Sequence, residues 1–314
     1  MQLTVLDGKA LNPGDLSWDV FRKYADVKVY QQTLPNEIVD HIGTSDAVLL
    51  NKVNITAEIL SQCPNLKYIG VLATGYNVID LNATNKANIC VTNIPSYSTM
   101  AVAQHTFALI MQFSNQIEIH NNSIKNGEWI KSDSFCYWKT PLIELYNKTL
   151  GIIGYGNIGK QVEKIANAFG MNVIVCPHHF DKNIKNCVTL SELYKQSDFI
   201  TLHVPLTDET NQIINSNSIS QMKDGVYIIN TARGGLVNEL DIKEGLLSGK
   251  IAGYAADVVA NEPMNENCPL LNAKNCILTP HIAWAPLETR TRLLNVALEN
   301  FCSWLNNSPK NKIS

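Results

Sequence analysis

Short apolar runs and amphipathic stretches alternate along the whole chain, and that alternation predicts its architecture. In the first hundred residues, apolar or β-branched runs at 3–7, 27–30, 47–50, 68–72 and 89–92 read as strands. Polar-apolar segments of helical length separate them, as at 36–42 and 57–62. Strands alternating with helices imply parallel strands joined by crossovers. After Pro95 the pattern changes, and residues 99–118 have the apolar density of a long, largely buried helix. A polar loop containing aromatics follows over 126–139. Strands then resume at 149–153, 172–176, 199–203, 226–230, 251–257 and 276–279, with helices over 191–196, 216–222 and 237–248. A last helical run, 287–305, comes too late for one continuous second unit and is expected to return to the first. The predicted fold is α/β: two Rossmann-like parallel-sheet domains, 1–98 with 285–314 and 99–284, separated by an interdomain cleft.

One junction carries more information than any other. Leu150, Ile152 and Ile153 form a buried strand that runs into Gly154-x-Gly156-x-x-Gly159, and Val162, Ile165, Ala166 and Phe169 then recur at helical spacing up to Gly170. Strand, glycine turn and helix are the context of a dinucleotide-binding fingerprint. The first glycine allows the tight turn, the second lets the backbone approach a pyrophosphate, and the third lets helix and strand pack closely. A helix N-terminus there presents N–H groups and partial positive charge to the diphosphate.

Composition narrows the remaining classes. At 314 residues the chain exceeds one typical core and suits two domains. Its 45% hydrophobic and 17% charged content is that of an ordinary globular protein. A net charge of −3 gives no reason to expect nucleic acid or an anionic membrane as partner. The N-terminus lacks the charged and apolar pattern of a secretory signal. The apolar run at 101–113 is broken by Gln104, His105 and Gln112 and is too short to span a bilayer. Eight scattered cysteines without a Cys-x-x-Cys fit a reducing compartment, so a cytoplasmic location is expected and no metal site is.

Three polar motifs sit at strand ends, where α/β folds place their chemistry. Arg233 follows a buried strand in Asn230-Thr-Ala-Arg233-Gly-Gly235, Glu262 lies in the turn from Asp257 to Pro263, and His281 stands behind Pro280. Each alone is more often a surface turn, a solvated loop or a structural histidine. Together they match the needs of hydride transfer to a 2-keto acid. A guanidinium clamps the carboxylate, an imidazole donates the proton, and a carboxylate favours the charged imidazole.

With these residues in place the chain resembles the D-isomer-specific 2-hydroxyacid dehydrogenases over nearly its whole length. The resemblance rests on residues 73–80, the glycine fingerprint, His203-Val-Pro205 and its neighbours, 230–235, 257–263 and 279–281. Residues 95–98 and 103–105, Trp138 and the His281-Ile-Ala-Trp284 run make it most similar to the glycerate dehydrogenase (hydroxypyruvate reductase) branch. The resemblance implies a flavodoxin-like substrate domain and an NAD(P)-binding Rossmann domain. It implies Arg233 on the substrate carboxylate and keto oxygen, His281 as proton donor, Glu262 bonded to that histidine, and Asp257 on the nicotinamide carboxamide. Asn157 and Ile158 would meet the pyrophosphate, and His203, Pro205, Thr231 and Ala232 would line the ribose and nicotinamide. Lys52, Thr74, Gly75 and Trp284 are the remaining expected substrate contacts.

One position departs from NAD-specific relatives, which carry an acidic residue at the end of the second Rossmann strand. Here that position is Cys176. NAD is favoured as cofactor, because the family mostly uses it, and NADP stays open. The expected activity is interconversion of a small 2-keto acid, hydroxypyruvate or glyoxylate favoured, and its D-2-hydroxy acid. The alternatives are formate or phosphite oxidation on the same fold, or a non-catalytic NAD(H)-sensing protein like the corepressors. A homodimer is expected, with contacts from residues 99–120 and 126–140.

Overall fold

The computed structural model describes all of residues 1–314. The chain divides into two compact units, residues 1–98 with 284–314 and residues 99–283.

The first unit holds a five-stranded parallel sheet: β1 (Gln2–Val5), β2 (Asp26–Val29), β3 (Ala47–Leu50), β4 (Tyr68–Val71) and β5 (Cys90–Thr92), in the order β2-β1-β3-β4-β5. β3 and β4 are buried at every position, as parallel strands covered on both faces must be. Alternate side chains feed two cores. Ala47, Leu49 and Tyr68 face the helix Leu287–Leu305 through its Leu293, Ala297 and Phe301, whereas Val48, Leu50 and Ile69 pack with Ile38, Ile42 and Leu60. The last helix therefore belongs to this sheet. Its Arg290 binds Asp15 bidentately at 2.7 and 2.6 Å and donates to the Leu11 carbonyl at 3.1 Å. Trp284, which the sequence pattern assigns to the second unit, groups with this one, its indole packed on the core around Leu293.

The second unit holds six parallel strands: β6 (Thr149–Ile153), β7 (Asn172–Cys176), β8 (Phe199–Leu202), β9 (Val226–Asn230), β10 (Ile251–Ala256) and β11 (Cys276–Leu278), in the order β11-β10-β9-β8-β6-β7. The strand order reverses at β6 and β8, the place where doubly wound sheets bind nucleotides. One face is covered by helices Thr99–Asn115 and Asn157–Ala168 through Phe107, Ile110 and Val162. The other carries helices Leu190–Gln196, Ser216–Gln221 and Glu239–Ser248 through Leu193, Ile219, Ile242 and Leu246. The helix expected over 99–118 stops at Asn115. Gln116 takes a left-handed backbone, φ 50°, and a second helix, Ile117–Lys125, starts in a new direction.

Both sheets are parallel and α/β throughout, as the alternation of runs implies. No helix is long and apolar enough to cross a membrane.

Candidate active site

The glycine turn is built by contacts no other residue permits. Gly154 has φ 95°, and a Cβ there would lie 2.6 Å from the His203 carbonyl. A Cβ at Gly159 would lie 2.2 Å from the Gly154 oxygen, so the start of helix Asn157–Ala168 rests directly on the turn. At Gly156, in contrast, a side chain would meet nothing within 4 Å. That open space beside a helix N-terminus, with no acidic residue in the first turn, fits a bound pyrophosphate. Asn157 and Ile158 are the first two residues of that helix.

Backbone bonds tie the neighbouring strand ends to the turn: Gly154 N–H donates to the Cys176 carbonyl at 2.8 Å, and His203 N–H to the Ile153 carbonyl at 2.7 Å. Both ring nitrogens of His203 are shut off from solvent without a partner, and burial pushes its pKa down to about 3. A neutral imidazole with unmet hydrogen-bonding capacity beside the turn suits a dinucleotide and adds no charge. Pro205 follows it on the surface, and its carbonyl accepts from the Thr210 hydroxyl at 2.7 Å.

The buried His203 also has a consequence for stability. Its folded pKa lies below the ordinary value of about 6.5, so between pH 6.5 and 3 the unfolded chain binds a proton that the native chain refuses. Stability contributed above pH 6.5 is lost as pH falls, by up to about 2 kcal/mol at pH 5. Urea unfolding at pH 7.5 and 5 should show a smaller pH difference for His203→Gln than for the unaltered chain; equal differences would refute the assignment.

The chemical residues follow three adjacent strands. Register pairs Asn230 of β9 with Ala256 of β10, and Ala256 with Leu278 of β11, so the segments bearing Arg233, Asp257 and His281 leave the sheet at one level. Asn230 shapes the first of them: its side chain accepts from Ala232 N–H at 3.0 Å and donates to the Arg233 carbonyl at 2.8 Å. Thr231 is fixed to Thr106 at 3.0 Å between hydroxyls. The Arg233 guanidinium is exposed, with one nitrogen on the Ala232 carbonyl at 2.7 Å and the rest of its fork uncommitted.

Asp257 is 1% exposed and anchors the segment that carries His281. Its carboxylate accepts from the Thr279 hydroxyl at 2.6 Å and from Ile282 and Ala283 N–H at 2.8 Å each, and its carbonyl accepts from His281 N–H at 2.8 Å. These bonds hold His281 at φ 57°, an uncommon conformation for a residue with a Cβ. The His281 ring is fixed in turn by Glu262: Nδ1 lies 2.6 Å from the carboxylate, whose other oxygen accepts from Val259 N–H at 3.2 Å. With Nδ1 engaged, Nε2 is the position left for proton exchange.

Arg233, Glu262 and His281 thus lie in one unit, with Glu262 and His281 in direct contact. His105 joins them unforeseen: its Nε2 lies 3.0 Å from the Thr279 hydroxyl and 3.6 Å from Asp257. Only its place next to Gln104 in a family-like run hinted at it.

In the first unit, Lys52 follows β3, and its backbone N–H donates to Asp7 at 2.6 Å. Burial pushes the Asp7 carboxyl up, opposed by the Lys52 and Asn51 amides. Thr74 and Gly75 form the turn after β4. The Thr74 hydroxyl donates to the Ile94 carbonyl at 2.8 Å and its carbonyl accepts from Asn93 at 2.8 Å, while no intrachain acceptor meets the amides of Thr74 and Gly75. Trp284 is half-buried on this unit's core.

Comparison with known proteins identifies the family. The family model for the NAD binding domain of D-isomer specific 2-hydroxyacid dehydrogenases matches residues 107–283. A hydroxypyruvate reductase of Blautia hydrogenotrophica is 44% identical over the full length of both chains, and a glycerate dehydrogenase of Methylorubrum extorquens is 39% identical over 91% of each. A crystal structure of a Thermus thermophilus protein superposes over the whole of both chains with TM-score 0.89 at 31% identity. The chain belongs to the D-isomer-specific 2-hydroxyacid dehydrogenases, in the branch of the hydroxypyruvate reductases and glycerate dehydrogenases, and is an NAD-dependent oxidoreductase of that family.

Proposed function

We propose that this chain reduces hydroxypyruvate or glyoxylate to the D-2-hydroxy acid and catalyses the reverse oxidation, with Arg233, Glu262 and His281 as its catalytic residues. The observation that carries the reading is the 2.6 Å contact between His281 Nδ1 and Glu262. It fixes the ring through Nδ1 and leaves one ring nitrogen, Nε2, to move a proton.

The bound nicotinamide supplies the hydride. Arg233 grips the substrate carboxylate through two parallel N–H donors, which fixes the keto group relative to the imidazole. His281 gives its Nε2 proton to the keto oxygen as the alcohol forms, and recovers one in the oxidative direction. Glu262 holds the ring orientation through its contact with Nδ1. Asp257 holds the His281 segment from below, and contact with the carboxamide is its further proposed role. Lys52, the Thr74 and Gly75 amides and Trp284 are proposed as substrate contacts from the first unit. The function is tested by initial rates with hydroxypyruvate, glyoxylate, pyruvate, formate and phosphite, each with the matching reduced or oxidised cofactor. Hydroxypyruvate or glyoxylate should give the highest kcat/KM; a preference for formate or phosphite, or no turnover with any keto acid, would reject the reading.

The proposed setting is a cytoplasmic homodimer. Ile117, Ile130, Phe135, Trp138 and Tyr146 are between 62% and 91% exposed along one stretch of the second unit, a concentration of apolar surface that favours association. Sedimentation velocity should give twice the chain mass, and a monomer at micromolar concentration would end the dimer proposal.

A further inference from the structure

Ile153 at the end of β6 pairs with Cys176 of β7 on one side and with Leu202 of β8 on the other. The loops that leave β7 and β8 therefore flank the Gly154 turn, and they meet. His178 Nε2 lies 3.3 Å from the Glu209 carboxylate, and His178 Nδ1 lies 3.0 Å from His179 Nε2. A Rossmann domain specific for NAD places a carboxylate at the end of its second strand, where it binds the adenosine ribose hydroxyls. A carboxylate there also repels a 2′-phosphate. In this chain the position is Cys176, a half-buried thiol that burial pushes further toward its neutral form; it packs against the second unit's core, with its sulfur 3.9 Å from the Pro177 carbonyl. The contact between His178 and Glu209 bridges the two loops at that strand end.

We propose that His178 and Glu209 together read the adenosine 2′ position, and that the site admits a 2′-phosphate as well as a free hydroxyl. The inference rests on the dinucleotide-binding reading of the glycine turn and deepens it. The Glu209 carboxylate accepts from a ribose hydroxyl when NADH is bound. With NADPH, the imidazole of His178 turns its hydrogen-bonding capacity to the phosphate, and Glu209, on a side chain 79% exposed, is released to solvent. The carboxylate that ordinarily excludes the phosphate is thus replaced by one that can move away.

The test is direct binding of NADH and NADPH to the full chain, followed by calorimetry, for the unaltered protein, Cys176→Asp and Glu209→Gln. The unaltered chain should bind the two within about tenfold of each other. Cys176→Asp should weaken NADPH relative to NADH by about tenfold or more, and Glu209→Gln should strengthen NADPH relative to NADH several-fold. A larger preference for NADH in the unaltered chain, or a ratio that neither variant moves, overturns the proposal while leaving the dinucleotide site intact. Failure of both nucleotides to bind overturns that site, and this proposal with it.

Discussion

Turnover is expected to fall by about 10²–10⁴-fold when His281 is replaced with alanine, with NADH binding retained, because general acid–base catalysis contributes on that scale. The geometry makes the expectation specific. Nδ1 is committed to Glu262, so the loss is that of one proton-exchanging nitrogen, Nε2. The cofactor cradle at Gly154–Gly159 lies at another strand end and is untouched. Stopped-flow measurement of NADH oxidation, paired with fluorescence titration of NADH, separates the two effects. A variant that turns over near the unaltered rate removes His281 from the mechanism. One that no longer binds NADH would show that the left-handed backbone at residue 281 does structural work for the whole segment.

Arg233→Ala is expected to raise KM for the keto acid and lower kcat together. In its proposed role Arg233 binds the carboxylate in ground and transition states alike and also orients the keto group. Two charged hydrogen bonds at about 1.5–3 kcal/mol each correspond to a fall in kcat/KM of about 10²–10⁴-fold. Arg233→Lys keeps the charge and loses the fork, so it should recover only part of that. Steady-state rates over a wide range of keto-acid concentrations read both constants. An unchanged KM in the alanine variant would mean that another group holds the carboxylate.

The sheets were legible because parallel strands buried on both faces read as unbroken apolar runs; β3 and β4 are cases in point. The glycine turn was legible because its requirement is written in three residues. The four-residue helices Gly8–Leu11 and Asp19–Arg22 were not foreseen, since one turn is too short to show a 3.6-residue period. The break at Gln116 was hidden for another reason: both flanking segments favour helix, and only the left-handed backbone between them marks the turn. Arg233, Glu262 and His281 could be picked out because each follows a strand. What connects them could not. The bond between His105 and Thr279 joins positions 174 residues apart, and the contact between His178 and Glu209 is set by loop conformation alone. The anchoring of the His281 segment by Asp257 was likewise invisible, since backbone amides supply most of it.

The first unit is assembled from two separated stretches, residues 1–98 and 284–314, while the second is one uninterrupted stretch between them. Leu293, Ala297 and Phe301 are translated only after the whole of residues 99–283, and they cover one side of a sheet whose strands all lie within residues 2–92. During translation that side stays uncovered until residues 287–305 are made, whereas residues 99–283 contain every strand of their own sheet. Of the two units, the one begun earlier is therefore the later to be sealed.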